Sequence, residues 1–109
     1  MNGDILMRVL VMFDLPVSTS EERSEASKFR THLLKLGFLM IQFSIYSRII
    51  KGVESSKGLC AKIKTALPKH GSVRVLEITD RQYENMHILI GPPKKRSETL
   101  DLGRSLFDF

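Results

Sequence analysis

The chain has a single cysteine, Cys60. That excludes an internal disulfide and a cysteine-rich zinc site. Cys60 falls among the apolar residues of an expected helix, where it should pack in the core. The histidines, His32, His70 and His87, are scattered without ligand spacing. No apolar run approaches the length of a membrane span. The start, Met1-Asn2-Gly3-Asp4, carries an acid and no basic region, which argues against a signal peptide, and Met7 offers an alternative start. The cytoplasm is the expected compartment. The sequence also lacks a glycine-rich phosphate loop, a nucleophile elbow, internal repeats and low-complexity segments. No strong catalytic constellation stands within one chain.

What is present is one domain of 109 residues, 42% hydrophobic and 27% charged. A chain of this size buries a modest core and often gains from dimerisation. The net charge is +5 and the pI about 9.6, which suits a polyanionic partner without identifying one.

An apolar run from Ile5 to Phe13, interrupted only by Arg8, ends at Asp14 and is followed by Leu15-Pro16. Its β-branched and large apolar residues predict a strand, and its lack of alternation predicts cover on both faces. Pro16 disfavours helix at Leu15, so Asp14 lies where the strand leaves the sheet. Two readings fit Asp14. The commoner is a turn aspartate bonded to its own backbone; the other is a carboxylate held by a rigid strand for chemistry.

Ser18 with Glu21, or Thr19 with Glu22, has capping-box spacing and starts a helix. Ala26, Phe29, Leu33 and Leu36 form its buried stripe, and Gly37 ends it. Its exposed side carries Arg23, Lys28, Arg30 and Lys35, which suits a solvated face and a phosphate-facing one equally. Phe38 to Ile50 is too long for one ordinary strand, and a bend near Phe43-Ser44 is expected to split it into a hairpin although no glycine marks the turn. On it, Tyr46 is either a half-buried strand aromatic or, with Arg48, a nucleic-acid contact.

A turn at Lys51-Gly52-Val53 leads into a second helix from Ser55 or Ser56 to Leu67, with Leu59, Ile63 and Leu67 buried and Lys57, Lys62 and Lys64 outward. Ser72 to Thr79 is a strand with apolar residues on both faces, which implies a bulge or cover on both sides. Thr79 to Asn85 is a polar turn with room for one helical turn. Met86 to Ile90 reads as a last strand. Beyond Gly91-Pro92-Pro93 come the basic Lys94-Lys95-Arg96 and then Leu100, Leu102, Leu106, Phe107 and Phe109, more large apolar groups than a disordered tail needs.

This order predicts an α+β, ferredoxin-like βαββαβ domain over residues 1–91, an antiparallel sheet with two helices on one face, and an arm over 92–109. The helices cover only one face, so a second copy packed sheet to sheet by a two-fold is the expected cover for the other. The arm then docks on the other protomer or on another protein. The RNA-recognition version of this fold needs aromatics in an RNP-like strand, and Val73-Arg74-Val75-Leu76-Glu77 has none. Asp14 alone does not bind Mg²⁺ tightly; two copies of Asp14 across a dimer, with a phosphodiester, could hold one provided they approach closely.

The segments Leu10 to Pro16, Glu22-Arg23, Phe29-Arg30, Leu36-Gly37-Phe38 and Gln42-Phe43-Ser44-Ile45-Tyr46, in this order and spacing, resemble the second CRISPR-associated protein family, the small adaptation subunit often labelled CRISPR-associated endoribonuclease. Met12 to Pro16 and the ending Ser105 to Phe109 resemble its branch from single-effector systems. The resemblance implies a ferredoxin-like homodimer that bridges two dimers of the CRISPR integrase and supports the duplex of an incoming spacer. It implies a metal-associated, candidate catalytic role for Asp14, with magnesium as the ion. It implies duplex contacts after the first strand and on the first helix. The matching positions are Arg23, Lys28 and Arg30, and Arg48 is added from its strand. The loop Leu15 to Ser20 lacks the arginines some members place there. Leu100, Leu102, Leu106, Phe107 and Phe109 are the expected docking residues for the integrase.

Overall fold

A computed structural model describes residues 6–50 and 53–92. The elements run β1 (Met7–Asp14), α1 (Ser20–Lys35), β2 (Leu39–Gln42), β3 (Ile45–Ile50), α2 (Ser56–Lys64), β4 (Ser72–Thr79) and α3 (Asp80–Glu84). The four strands form one sheet in the order β2-β3-β1-β4, every neighbouring pair antiparallel. This is the ferredoxin-like α+β arrangement expected from the sequence.

Local chemistry sets the element ends. Of the two possible capping boxes, the chain uses the second. The Thr19 hydroxyl accepts from the Glu22 amide at 3.0 Å, and the Glu22 carboxylate accepts from the Thr19 amide at 3.1 Å. Gly37, at φ +94°, carries the chain out of α1. The expected hairpin is present: β2 turns into β3 through Phe43 and Ser44, and Ser44 rather than a glycine takes the positive φ, at 66°.

The register assigns every β1 residue to a face. Val9, Val11 and Phe13 point to one side, alongside Tyr46 of β3 and Val73 and Val75 of β4. There they pack with Phe29 and Leu33 of α1 and Leu59 and Ile63 of α2. The Phe13 and Phe29 rings meet edge to face, with centroids 5.3 Å apart. Tyr46 is buried in this core, which settles the two readings of it: the ring packs inside and is not offered to a ligand.

Arg8, Leu10, Met12 and Asp14 share the other face with Ile45, Ser47 and Ile49 of β3 and Ser72, Arg74, Leu76 and Ile78 of β4. The five-residue α3 closes this face at one end only. There Arg8 is 2% exposed. Its guanidinium donates to Asp80 at 2.8 and 3.1 Å and to the Ser47 hydroxyl at 2.8 Å, and lies 4.0 Å from the centre of the Tyr83 ring. Towards the other end Leu10, Met12 and Ile45 are only half-buried, and Leu76 is 49% exposed. β1 and β4 are therefore apolar on both sides, as expected.

Some expectations are corrected. β4 pairs with β1 in unbroken register, so its two apolar faces come from a regular strand and not from a bulge. α2 stops at Lys64, three residues before Leu67, because Thr65 bonds back to Lys62 and the last turns tighten ahead of Pro68. Leu67 is consequently exposed. Met86 to Ile90 is not a strand. After α3 the segment pairs with no strand, and Leu89 and Ile90 are each 93% exposed. The basic Lys94-Lys95-Arg96 and the apolar residues Leu100 to Phe109 lie outside the described residues, as does the Lys51-Gly52 part of the turn before α2. Among the described residues no helix is long and apolar enough to cross a membrane.

Candidate nucleic-acid interface

Asp14 is the last residue of β1 and lies on the uncovered face, in register with Ser72. It is exposed, and no hydrogen bond or ion pair among the described residues holds its carboxylate. The turn reading, in which the side chain bonds its own backbone, is therefore not what the structure shows. The backbone there is fixed by close approach. Gly71, at φ +108°, runs so near that a Cβ on it would sit 2.7 Å from the Asp14 carbonyl oxygen and 2.9 Å from Leu15. On the other side the Phe13 amide donates to the Ser44 carbonyl at 3.0 Å, which ties the hairpin turn to the same end of β1.

Sequence reasoning passed over Arg74. Paired with Met12, it lies on the same face as Asp14, two pairs along the ladder, exposed and without an ion pair among the described residues. Its signal was the alternation Ser72-Val73-Arg74-Val75. Only the pairing of β4 with β1, more than fifty residues apart in sequence, brings it beside Asp14.

The four cations expected from sequence do not form one patch with Asp14. Arg23 folds back over the loop before α1 and donates to the carbonyls of Val17 at 3.1 Å and Ser18 at 3.3 Å. Lys28 stands exposed on α1 without an ion pair among the described residues. Arg30 is half-buried, its guanidinium 5.9 Å from the centre of the Phe13 ring. Burial pushes the Tyr46 phenol above its ordinary range, and the Arg30 charge partly offsets this. Arg48 is ion-paired to Glu54 and packed under Gly37, whose absent Cβ would lie 3.3 Å from Arg48 Nε. Phe13 and Asp14 point to opposite faces, so Arg30 and Asp14 share an end of β1 but not a side.

Magnesium asks for several oxygen ligands in octahedral geometry. Around Asp14 a single chain offers one carboxylate, and among the described residues no group of three His, Cys, Asp or Glu side chains converges on a point. One chain by itself therefore does not fit the ion, and no chemical step is derived through it. An open carboxylate, a neighbouring arginine and a serine stand on an exposed rim rather than in a closed reaction chamber.

Comparison with known proteins agrees with this geometry. The family model described as CRISPR associated protein Cas2 matches residues 7–86, which run from the start of β1 to just past α3. A Campylobacter jejuni protein named CRISPR-associated endoribonuclease Cas2 is 49% identical over 88 residues, covering 81% of this chain and 62% of that protein. Proteins of the same name from Ligilactobacillus salivarius and Lacticaseibacillus rhamnosus are 46% and 43% identical, with 84% and 88% of their lengths covered. With the fold, the strand-end aspartate and these matches in agreement, the chain belongs to the CRISPR-associated protein Cas2 family.

Proposed function

We propose that this chain acts in CRISPR adaptation as a homodimer that bridges two integrase dimers and supports the spacer duplex on basic surfaces. The observation that carries this reading is the uncovered sheet face. Leu10, Met12, Ile45 and Leu76 lie on it outside the cover of α3, and a water-facing surface of that kind suits a second copy of the same sheet. The net charge of +5, with Lys28 and Arg74 carrying no ion pair among the described residues, suits backbone contacts that hold a duplex without reading its sequence. Arg23 and Arg30 share α1 with Lys28, and Arg48 would first have to leave Glu54. The integrase belongs to a single-effector system in this reading, the cytoplasm is the compartment, and the arm 92–109 docks on the integrase through Leu100, Leu102, Leu106, Phe107 and Phe109. Duplex affinity measured against salt tests it. The logarithm of the affinity should fall steeply with the logarithm of salt, by roughly 0.9 per phosphate neutralised. A flat dependence would leave a protein-only partner. Removing residues 100–109 should break the integrase complex.

A second reading is favoured by the exposed carboxylate of Asp14 and by the printed name of the relatives, endoribonuclease. In it, Asp14 from each of two protomers, together with substrate phosphates, holds a magnesium ion that assists phosphodiester cleavage. The two readings part at Asp14→Ala. Spacer acquisition persists if bridging is the role, and metal-dependent cleavage disappears if Asp14 is catalytic.

A further inference from the structure

A cleft of about 250 Å³ opens between α2 and β4, on the side of the sheet that carries the helices. Its floor is apolar, with Ile63 and Leu67 on one wall and Val73 and Val75 on the other. β4 is the last strand of the sheet, so no further strand among the described residues closes the cleft. α2 stops three residues before Leu67 and leaves that side chain 47% exposed. Lys64 and Lys69 stand exposed at the rim without an ion pair among the described residues, and none of the lining residues is acidic. Size indicates the kind of occupant. Small-molecule sites run to roughly 300–1,000 Å³. This cleft falls below that range and is open, which suits one or two side chains of an extended segment. The chain carries a segment of matching chemistry, outside the described residues. Between 98 and 109 it has Glu98, Asp101 and Asp108 against the single Arg104, and Leu106, Phe107 and Phe109 flank the last acid. Large apolar groups beside a carboxylate complement an apolar floor beneath lysines. The residues from 93 to 106 span up to roughly 46 Å when extended, against roughly 26 Å for the whole length of β4.

We propose that Leu106 to Phe109 seat in the α2–β4 cleft of their own chain, with the apolar side chains on its floor and Asp108 against Lys64 and Lys69. The contact is a latch. A tether of this kind holds the segment near the cleft at an effective concentration of order 1 mM, so a contact with a Kd of only about 0.1 mM is closed about nine-tenths of the time. The proposal is independent of the integrase reading, because it concerns the protein alone. Where both hold, the integrase has to draw the segment out of the cleft before it docks there.

Cys60 lines the cleft and is the only thiol of the chain, so it reports whether the cleft is covered. Its rate of reaction with an aromatic disulfide reagent is measured in the full chain, without nucleic acid or any partner. A seated segment predicts slow reaction in the native chain and a rise of roughly tenfold when Leu106→Ser and Phe107→Ser are made together, the ratio expected for a latch closed about nine-tenths of the time. Lys64→Glu with Lys69→Glu should raise the rate as well. Removing cations beside a thiol slows its chemistry, so a rise there reports uncovering alone. Adding Asp101→Lys and Asp108→Lys to that pair reverses both charges and should restore slow reaction. Both lysines are exposed, and circular dichroism checks that each variant is folded. To tell the chain's own tail from a neighbour's, the Leu106→Ser, Phe107→Ser variant is mixed with excess Cys60→Ser chains, which have an intact tail and no thiol. A latch within one chain leaves the rate high in the mixture. Protection regained on mixing overturns the proposal by seating a second copy's tail in the cleft. Equal rates in the native chain and the Leu106→Ser, Phe107→Ser variant overturn it too, as does a charge exchange that leaves Cys60 open.

Discussion

Arg8 and Asp14 lie on the same strand and the same face, with opposite charges and opposite surroundings. Arg8 sits under α3, nearly inaccessible to water, bonded to Asp80 and Ser47 and covered by Tyr83. Asp14 sits six residues on, exposed and without a side-chain partner among the described residues. A buried charge must be paired to be tolerated, and its partners then lock the elements that supply them. Arg8 accordingly joins β1, β3 and α3. The exposed charge at the open end carries no such requirement. One end of the face serves folding, and the other is left exposed.

Substitutions break or sharpen that contrast, and the largest effect is expected at the closed end. Asp80→Ala removes the carboxylate to which the buried Arg8 guanidinium donates and should cost about 3–5 kcal/mol, read as a lower urea midpoint at fixed protein concentration. Gly71→Ala comes next. It forces a Cβ against the Asp14 carbonyl at a φ of +108° and should cost about 1–3 kcal/mol while displacing the open end. Duplex binding in that variant should weaken even under conditions where it remains folded. Thr19→Ala removes the cap that turns the chain from β1 into α1 and should cost about 1 kcal/mol. Asp14→Ala should change stability by no more than about 0.5 kcal/mol, since the side chain is exposed and no hydrogen bond or ion pair among the described residues is lost. An Asp14→Ala loss as large as that of Asp80→Ala would erase the distinction between the two ends.

The covered side of the sheet was legible in the sequence because local periodicity encodes it. Ala26, Phe29 and Leu33 recur at helical spacing and are buried, and the capping box lies within four residues. The hairpin at Phe43-Ser44 was legible from strand length, even though a serine takes the conformation usually given to glycine. The other face was legible only as a surplus of apolar residues. Arg8 read as an interruption of the first strand because its partner, Asp80, is 72 residues away, and no local pattern links the two. Arg74 was missed for the same reason. Arg48 looked like a surface cation because alternation names a face but not a neighbour, and Glu54 lies six residues on, beyond the end of β3. Met86 to Ile90 has the composition of a strand, yet composition supplies no edge to pair with.

The central claim is that the open face is covered by a second copy, and sedimentation equilibrium of the full chain at micromolar concentration without nucleic acid tests it most directly. The account predicts a particle of twice 12.4 kDa. A single species of 12.4 kDa across that range, with Leu76 and Met12 left facing water, would contradict it.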